Sequence, residues 1–470
     1  MEDKSVVKKA FKGFLFTLLA QIIVLLLSIA RSMILPKVLS VPDYGYWQIY
    51  VLYSSYVGIF SIGYSDGIYL KYGKYQYDEL PFPRLRTATR YYMAVLAVFT
   101  VSSMMFCLLI SDVNRQFSMF GVCIDIFLMG MNGLLIYILQ ITNQMKAYSF
   151  YSVIDKVVLL AAVIIISMAP DRVFSWVVMA DVFSRVVVTL LLFIRFKDLF
   201  TGPGVPGKTG WIEFSDDIKI GINLMTANLM GMFVTGIGRF IVDLFGDITE
   251  YAYYSFGITI TNLVMVFITA VSLVLYPTLK RLPESDYGEY FERLNIAVIL
   301  FNFIALFAYF PAMIFIQFFL PQYFPISAYI HFLFGVIVLQ AKMQMLINTF
   351  YKVLREEKAL LKANLSCVVV FLFMAVSSFY YTKKVTAIAI CTFIAMIYRC
   401  YASEFFVRRK MGLRISKDML FEMTYIIVFV LVISFNDFVP ALLIDIIMFA
   451  GYLVYSVPKY KKYGFRLKVR

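Results

Sequence analysis

Apolar runs of about 20 residues recur from one end of this chain to the other, separated by short clusters of charged or turn-forming residues. A run of that length, wound as an α-helix, crosses a hydrocarbon core of ~30 Å. In hydrocarbon every backbone N–H and C=O needs a partner inside the protein, and a helix supplies all of them within its own segment. Only 15% of the 470 residues are charged and the mean hydropathy is +0.81, where a soluble domain carries roughly 25% charged residues. The chain therefore reads as an all-α membrane protein of about fourteen transmembrane helices.

The apolar runs place six helices at 12–35, 47–70, 91–110, 119–141, 151–169 and 173–194. A polar stretch holding Gly202, Pro203, Gly204, Pro206 and Gly207 follows, and then six more at 219–242, 251–276, 294–319, 325–349, 360–381 and 385–407. Two further helices, 420–435 and 438–457, precede a basic tail. The expected division is 1–200, 209–408 and 409–470. Lys8, Lys9 and Lys12 ahead of an apolar stretch imitate a signal peptide, but Phe14 to Ala30 is too long for a signal core and reads as the first helix.

Charge sets the expected orientation, because Lys and Arg are retained on the cytoplasmic side of short loops. With the N-terminus inside, 33 of the 43 Lys and Arg fall on inside segments and 7 on outside loops. Both termini are thus expected in the cytoplasm, and an even helix number is favoured. The net charge of +14 is spread over these loops, as suits contact with anionic membrane lipids and not a nucleic acid.

An internal repeat organises the helices further. Gly13 aligned with Gly221 places Arg31 on Arg239, and Asp43-Tyr44-Gly45-Tyr46 falls within one residue of Glu250-Tyr251-Ala252-Tyr253. Six helices per unit is even, so the two bundles enter the membrane from the same side and relate by a pseudo-twofold axis along its normal.

Charges inside a bilayer cost roughly 2.5–3.5 kcal/mol each, so those within helices are functional candidates. Arg31 and Arg239 hold equivalent positions on the first helix of each bundle and would form a clamp for a phosphate head group. The alternative is that each snorkels to the outer interface, about 27 Å along its helix. Asp66, in Gly63-Tyr-Ser-Asp66-Gly67, lies among small residues that allow close helix approach, and is a candidate to bind a coupling cation or to pair with Arg31. Asp243 could neutralise Arg239, and Asp181 and Arg185, four apart, form a self-satisfied pair. Lys342 has no partner within four residues on its helix and either faces a wet cavity or snorkels. Arg399 and Glu404 read as interfacial.

The single histidine, His331, leaves no basis for a histidine metal site or a catalytic triad. The cysteines, Cys107, Cys123, Cys367, Cys391 and Cys400, are spaced as packing residues. No loop exceeds about 25 residues and none carries a phosphate-cradling GxxxxGK, so the chain is not expected to be an enzyme or to need a cofactor.

The stretch from Gly13 through Arg31, Pro36, Tyr44-Gly45, Gly58, Gly63 and Asp66-Gly67-Ile68 resembles the opening of the polysaccharide flippases. These belong to the MOP superfamily, which also holds the multidrug (MATE) exporters and the lipid II flippase. The resemblance continues at Gly221 to Arg239, Tyr251 to Pro277-Thr278-Leu279-Lys280, and Asn348-Thr-Phe-Tyr-Lys352. It implies a V-shaped pair of six-helix bundles in the bacterial plasma membrane, monomeric, that moves a polyprenyl-pyrophosphate-linked oligosaccharide to the outer leaflet by alternating access. Arg31 and Arg239 would contact the substrate, with Lys342 a weaker candidate. Asp66 would carry H+ or Na+ if transport is ion-coupled. The terminal pair departs from the twelve-helix pattern but matches the lipid II flippase. A cation-coupled multidrug exporter and a polytopic glycan polymerase are the alternatives.

Overall fold

The computed structural model describes residues 22–73, 75–169, 172–279 and 284–463. Gly13 and the lysines before it, Lys280, and the basic tail beyond residue 463 lie outside the described residues. Helix is the dominant regular structure and no strand occurs among the described residues. α1 is described over 22–38. It is followed by α2 (Val41–Tyr56), α3 (Tyr64–Tyr72), α4 (Phe82–Cys107), α5 (Val113–Ile141), α6 (Met145–Met168), α7 (Phe174–Arg195) and the short α8 (Lys197–Phe200). α9 (Gly207–Phe245), α10 (Ile248–Leu279), α11 (Tyr287–Phe307), α12 (Tyr309–Phe319), α13 (Ile330–Lys342) and α14 (Asn348–Val353) come next. α15 (Glu357–Thr382), α16 (Val385–Lys410), α17 (Lys417–Phe435) and α18 (Phe438–Tyr463) complete the chain.

Ten helices among the described residues are long and apolar enough to cross a membrane, and α9 makes an eleventh when its two stretches, Gly207–Val234 and Gly236–Phe245, are taken together. α1, the segment α2–α3 and α10 occupy the three remaining apolar segments that the sequence predicts. Helix among the described residues thus stands at each of the fourteen expected positions. The second departs from its predicted form. It is not one continuous helix over 47–70 but two, interrupted where Ile62 (φ +46°) and Gly63 (φ +86°) turn left-handed. A left-handed pair cannot continue an α-helix, and glycine meets that conformation without a Cβ penalty.

The described residues fall into two compact units on either side of the Gly236–Ile237 bond, inside α9. The N-terminal stretch of α9 thus packs with the first unit. In that unit α5 is the axis: 61% of its span is buried, against 17% for α4 and for α6, which turn most of their surface outward. In the second unit the inner segment is Ile330–Val353, 78% buried. It carries a π-helical turn over Met343–Ile347, between α13 and α14; such insertions recur at functional sites.

Local chemistry sets the ends of several helices. Ser40 Oγ accepts the Asp43 N–H at 3.2 Å and caps α2, which has proline in its first turn. Asp112 and Ser416 cap α5 and α17 in the same way, each satisfying N–H groups the helix leaves unpaired. Between α17 and α18 the chain turns within Asn436 and Asp437, with Asn436 extended and its Nδ2 donating to the Val432 carbonyl at 2.9 Å. Pro440 sits in the first turn of α18, where a missing N–H costs nothing.

The terminal pair is joined to the second unit by aromatic packing. Tyr425 of α17 stacks on Phe303 of α11 with centroids 3.8 Å apart, and Tyr452 of α18 meets the same ring edge-on at 4.6 Å. His331 is buried, its Nε2 2.9 Å from Ser434 Oγ, which ties α13 to α17. All five cysteines are free and buried, as expected of packing residues, with the Cys107 and Cys123 sulfurs 3.3 Å apart.

Candidate functional site

The break in the second segment is the first place where the backbone itself is special. At membrane depth, irregular backbone is tolerated only where protein or a cavity covers it, and discontinuous helices commonly line transporter sites. Asp66 lies in the first turn of α3, directly after the break, where a helix N-terminus favours negative charge. It is 6% exposed and accepts a long hydrogen bond from the Tyr137 hydroxyl at 3.4 Å. It forms no ion pair among the described residues, so Arg31 is not its partner.

The same break lets α3 approach α9 at backbone distance. A Cβ on Gly67 would lie 1.9 Å from the Asp217 carbonyl oxygen, and one on Gly221 would lie 2.0 Å from the Gly63 carbonyl oxygen. The small residues do permit the close helix approach that the sequence suggests. An ion cluster closes this contact at one end. Lys71 Nζ lies 2.6 Å from Asp217 and 2.8 Å from Glu213, which also takes Arg84 at 3.0 Å.

A second polar network lies in the core of the first unit. Asp181 and Arg185 pair at 2.6 Å, as their spacing predicts. They are not self-contained, because Arg185 also contacts Asp125 of α5. Tyr50 donates to Asp181 at 2.7 Å and Ser54 to Asp125 at 2.7 Å. Asp125 is fully buried and its Oδ1 has no hydrogen-bond partner among the described residues. Tyr50→Phe should therefore cost about 1.5–3 kcal/mol, the range for a hydrogen bond to a charged group, and lower the Tm of the purified protein.

The second unit holds a larger network, centred on Lys342 at the last residue of α13 before the π turn. Its ammonium is fully buried, 2.6 Å from Glu404 of α16 and in contact with Glu422 of α17. Arg408 adds a second cation, 2.8 Å from Glu404 and 2.6 Å from Glu292 of α11. Asn302 donates to Glu422 at 3.0 Å. Lys342 therefore has partners after all, supplied by other helices and invisible to a search along its own. Glu404 and Arg399, expected at the interface, are 0% and 3% exposed. Glu404 goes inward because two cations meet it there.

Arg31 and Arg239 are both half-buried. Arg239 Nε is enclosed with no hydrogen-bond partner among the described residues. The two arginines belong to different units, Arg31 to the first and Arg239 to the second.

Solved structures share this arrangement of helices. The lipid II flippase MurJ, in an inward closed conformation, matches with a TM-score of 0.62 at 14% identity, over 96% of this chain and 99% of that one. An inward-facing multidrug resistance MATE family transporter of the MOP superfamily matches at 0.56 and 14% identity, over 85% of this chain and 98% of that one. An outward-facing multidrug resistance MATE family transporter of the same superfamily matches at 0.53 and 14% identity, over 85% and 96%. The chain has the fold of these MurJ and MATE structures. No family model matches the sequence, and no curated protein matches it.

The sequence singles out Asp66, Lys342 and the Asp181–Arg185 pair, and the reading passed over Asp125, Glu422 and Glu292. The missed signal was the same one used elsewhere, a charge inside an apolar run. Asp125 stands in Val-Cys-Ile-Asp-Ile-Phe-Leu and Glu422 in Met-Leu-Phe-Glu-Met-Thr-Tyr.

Proposed function

We propose that the chain is a flippase that moves a polyprenyl-pyrophosphate-linked oligosaccharide from the cytoplasmic to the outer leaflet of a bacterial plasma membrane, both termini being cytoplasmic. The observation that carries this reading is coverage: the lipid II flippase matches 96% of the chain, the multidrug exporters 85%. A lipid II flippase thus accounts for more of this chain than the exporters do. The terminal helix pair belongs to the working protein, since Glu422 sends its carboxylate into the core of the second unit.

In this reading Arg31 and Arg239 contact the pyrophosphate, each guanidinium matching phosphate oxygens. Arg239 Nε, without a hydrogen-bond partner among the described residues, would supply a donor for that purpose. Lys342, held by two glutamates, is the weaker substrate contact. Asp66, at a helix break and without an ion-pair partner among the described residues, is the carrier for H+ or Na+ if transport is coupled. Export of a pyrophosphate of charge about −2 from an inside-negative cell also gains roughly 4.6 kcal/mol per 100 mV, so the membrane potential can drive the step.

The experiment is the Arg31→Ala, Arg239→Ala double variant in a strain lacking the wild-type gene. We expect loss of surface glycan with normal protein levels; normal surface glycan would overturn the clamp. The second reading, a multidrug exporter, rests on the likeness to the MATE structures. It predicts drug hypersensitivity of the deletion strain with its surface glycan intact.

A further inference from the structure

Each of the cations Arg185, half-buried, and Lys342 and Arg408, both buried, meets two carboxylates. Arg399 of α16 does not. It is 3% exposed, its Nε donates to Asn364 Oδ1 of α15 at 2.9 Å, and its Nη1 donates to Gln340 Oε1 of α13 at 2.9 Å. Met396 Sδ stands 4.0 Å from Nη1. The titratable groups that face it are Cys367, Cys400 and Tyr351, two thiols and a phenol, and no carboxylate pairs with it among the described residues.

The hydrogen bonds already made define what remains. An arginine has five N–H donors and no acceptor, so the amides of Asn364 and Gln340 must turn their oxygens toward it. Their NH2 groups are then left over as donors beside the guanidinium. On Arg399 itself both N–H groups of Nη2 take no partner among the described residues, and beyond Gln340 the Nη1 group meets only the Met396 thioether, a weak acceptor. Those two nitrogens are the end-on pair that grips two oxygens of one anion. Donors with a net positive charge and no acceptor, enclosed by three helices, are complementary to an oxyanion. Gln340 is only half-buried and gives the group an opening.

We propose that Arg399, Gln340 and Asn364 form a binding site in the second unit for a phosphate-type oxyanion, either free phosphate or the phosphate of a lipid headgroup. A carboxylate fills a guanidinium fork with its two oxygens, whereas a phosphate has further oxygens for the flanking amide donors. The site depends on contacts inside one unit and does not rest on the flippase reading.

The test uses the full chain purified in detergent, with thermal unfolding followed in inorganic phosphate, in pyrophosphate and in NaCl of matched ionic strength. A parallel series adds phosphatidylglycerol or phosphatidylcholine to the micelles. Wild type should show a Tm that climbs with the logarithm of phosphate or pyrophosphate concentration beyond the NaCl control. Arg399→Gln should fold with an unchanged or higher Tm in phosphate-free buffer, because it removes a buried charge that lacks a counter-ion, and should lose the anion response. Arg399→Lys, which keeps the charge and loses the fork, should respond with affinity about tenfold weaker. Gln340→Glu would supply an internal carboxylate and abolish the response while leaving Arg399 in place, which covers the case in which Arg399→Gln fails to fold. A response to phosphatidylglycerol alone, absent in Arg399→Gln, assigns the site to a lipid headgroup; a response to free phosphate assigns it to the soluble ion. Wild type that responds to none of these beyond NaCl, or a response that persists in Arg399→Gln and Gln340→Glu, overturns the site.

Discussion

Lys342→Met is expected to cost about 3–5 kcal/mol of stability, the range for removing one partner of a buried ion pair. The loss follows from what stays behind. Glu404 keeps Arg408 at 2.8 Å, but Glu422, fully buried, is left with the amide of Asn302 alone. A carboxylate that lacks a counter-ion inside the protein either takes up a proton or breaks the packing around it. Because Glu422 sits on α17, part of the cost should appear as loosening of the terminal pair from α11 and α13. The measurement is the Tm of purified protein together with the monodisperse fraction on size exclusion. A second substitution separates charge from shape. Lys342→Met with Glu422→Gln restores charge balance, retains the Asn302 contact and should recover most of the loss. A double variant no better than the single would show that the lysine matters for its packing and not for its charge.

This network also marks how far the sequence could be read. Spans, their number and the special standing of Asp66 and Lys342 follow from apolar run length and from the cost of charge in hydrocarbon, both properties of a single segment. Partnership is not such a property. Lys342 and Glu422 are 80 residues apart, and Arg185 and Asp125 are 60 apart; no spacing rule along one helix connects them. Arg399 and Glu404, neighbours on α16, read alike as interfacial in the sequence. They differ because Glu404 meets Lys342 of α13 and Arg408 one turn along α16, while Arg399 donates to the amides of Gln340 and Asn364. The break at Ile62–Gly63 was half legible. Glycine and small residues announced close approach, but an isoleucine at φ +46° is imposed by tertiary packing and has no signature of its own.

Gly67→Ala and Gly221→Ala should have the other large effect, because the space each would need is occupied by backbone. The added Cβ would meet the Asp217 carbonyl carbon at 2.7 Å and its oxygen at 1.9 Å in the first case, and Gly67 N at 2.2 Å in the second. A flexible side chain could turn aside, but main chain inside a helix cannot, so α3 and the N-terminal stretch of α9 must separate. Overpacking of this kind costs typically about 1–3 kcal/mol and occasionally more. Separation also breaks the cluster at the end of the contact, where Lys71 bridges Asp217 and Glu213 within 2.8 Å. We expect hydrogen exchange of the amides in 64–72 and 213–222 to accelerate about tenfold or more, the consequence of a local opening made easier by roughly 1.4 kcal/mol. Gly231→Ala is the control, since it lies on the same helix α9 and its Cβ would meet nothing within 4 Å. There alanine should leave exchange unchanged or slow it, as alanine is the better helix former. If all three variants exchange alike, the approach of α3 to α9 is not what holds this part of the first unit together. If only Gly67→Ala and Gly221→Ala open it, the broken segment is fastened by glycine contact and the Lys71 ion cluster, and Asp66 lies on the element that the contact holds in place.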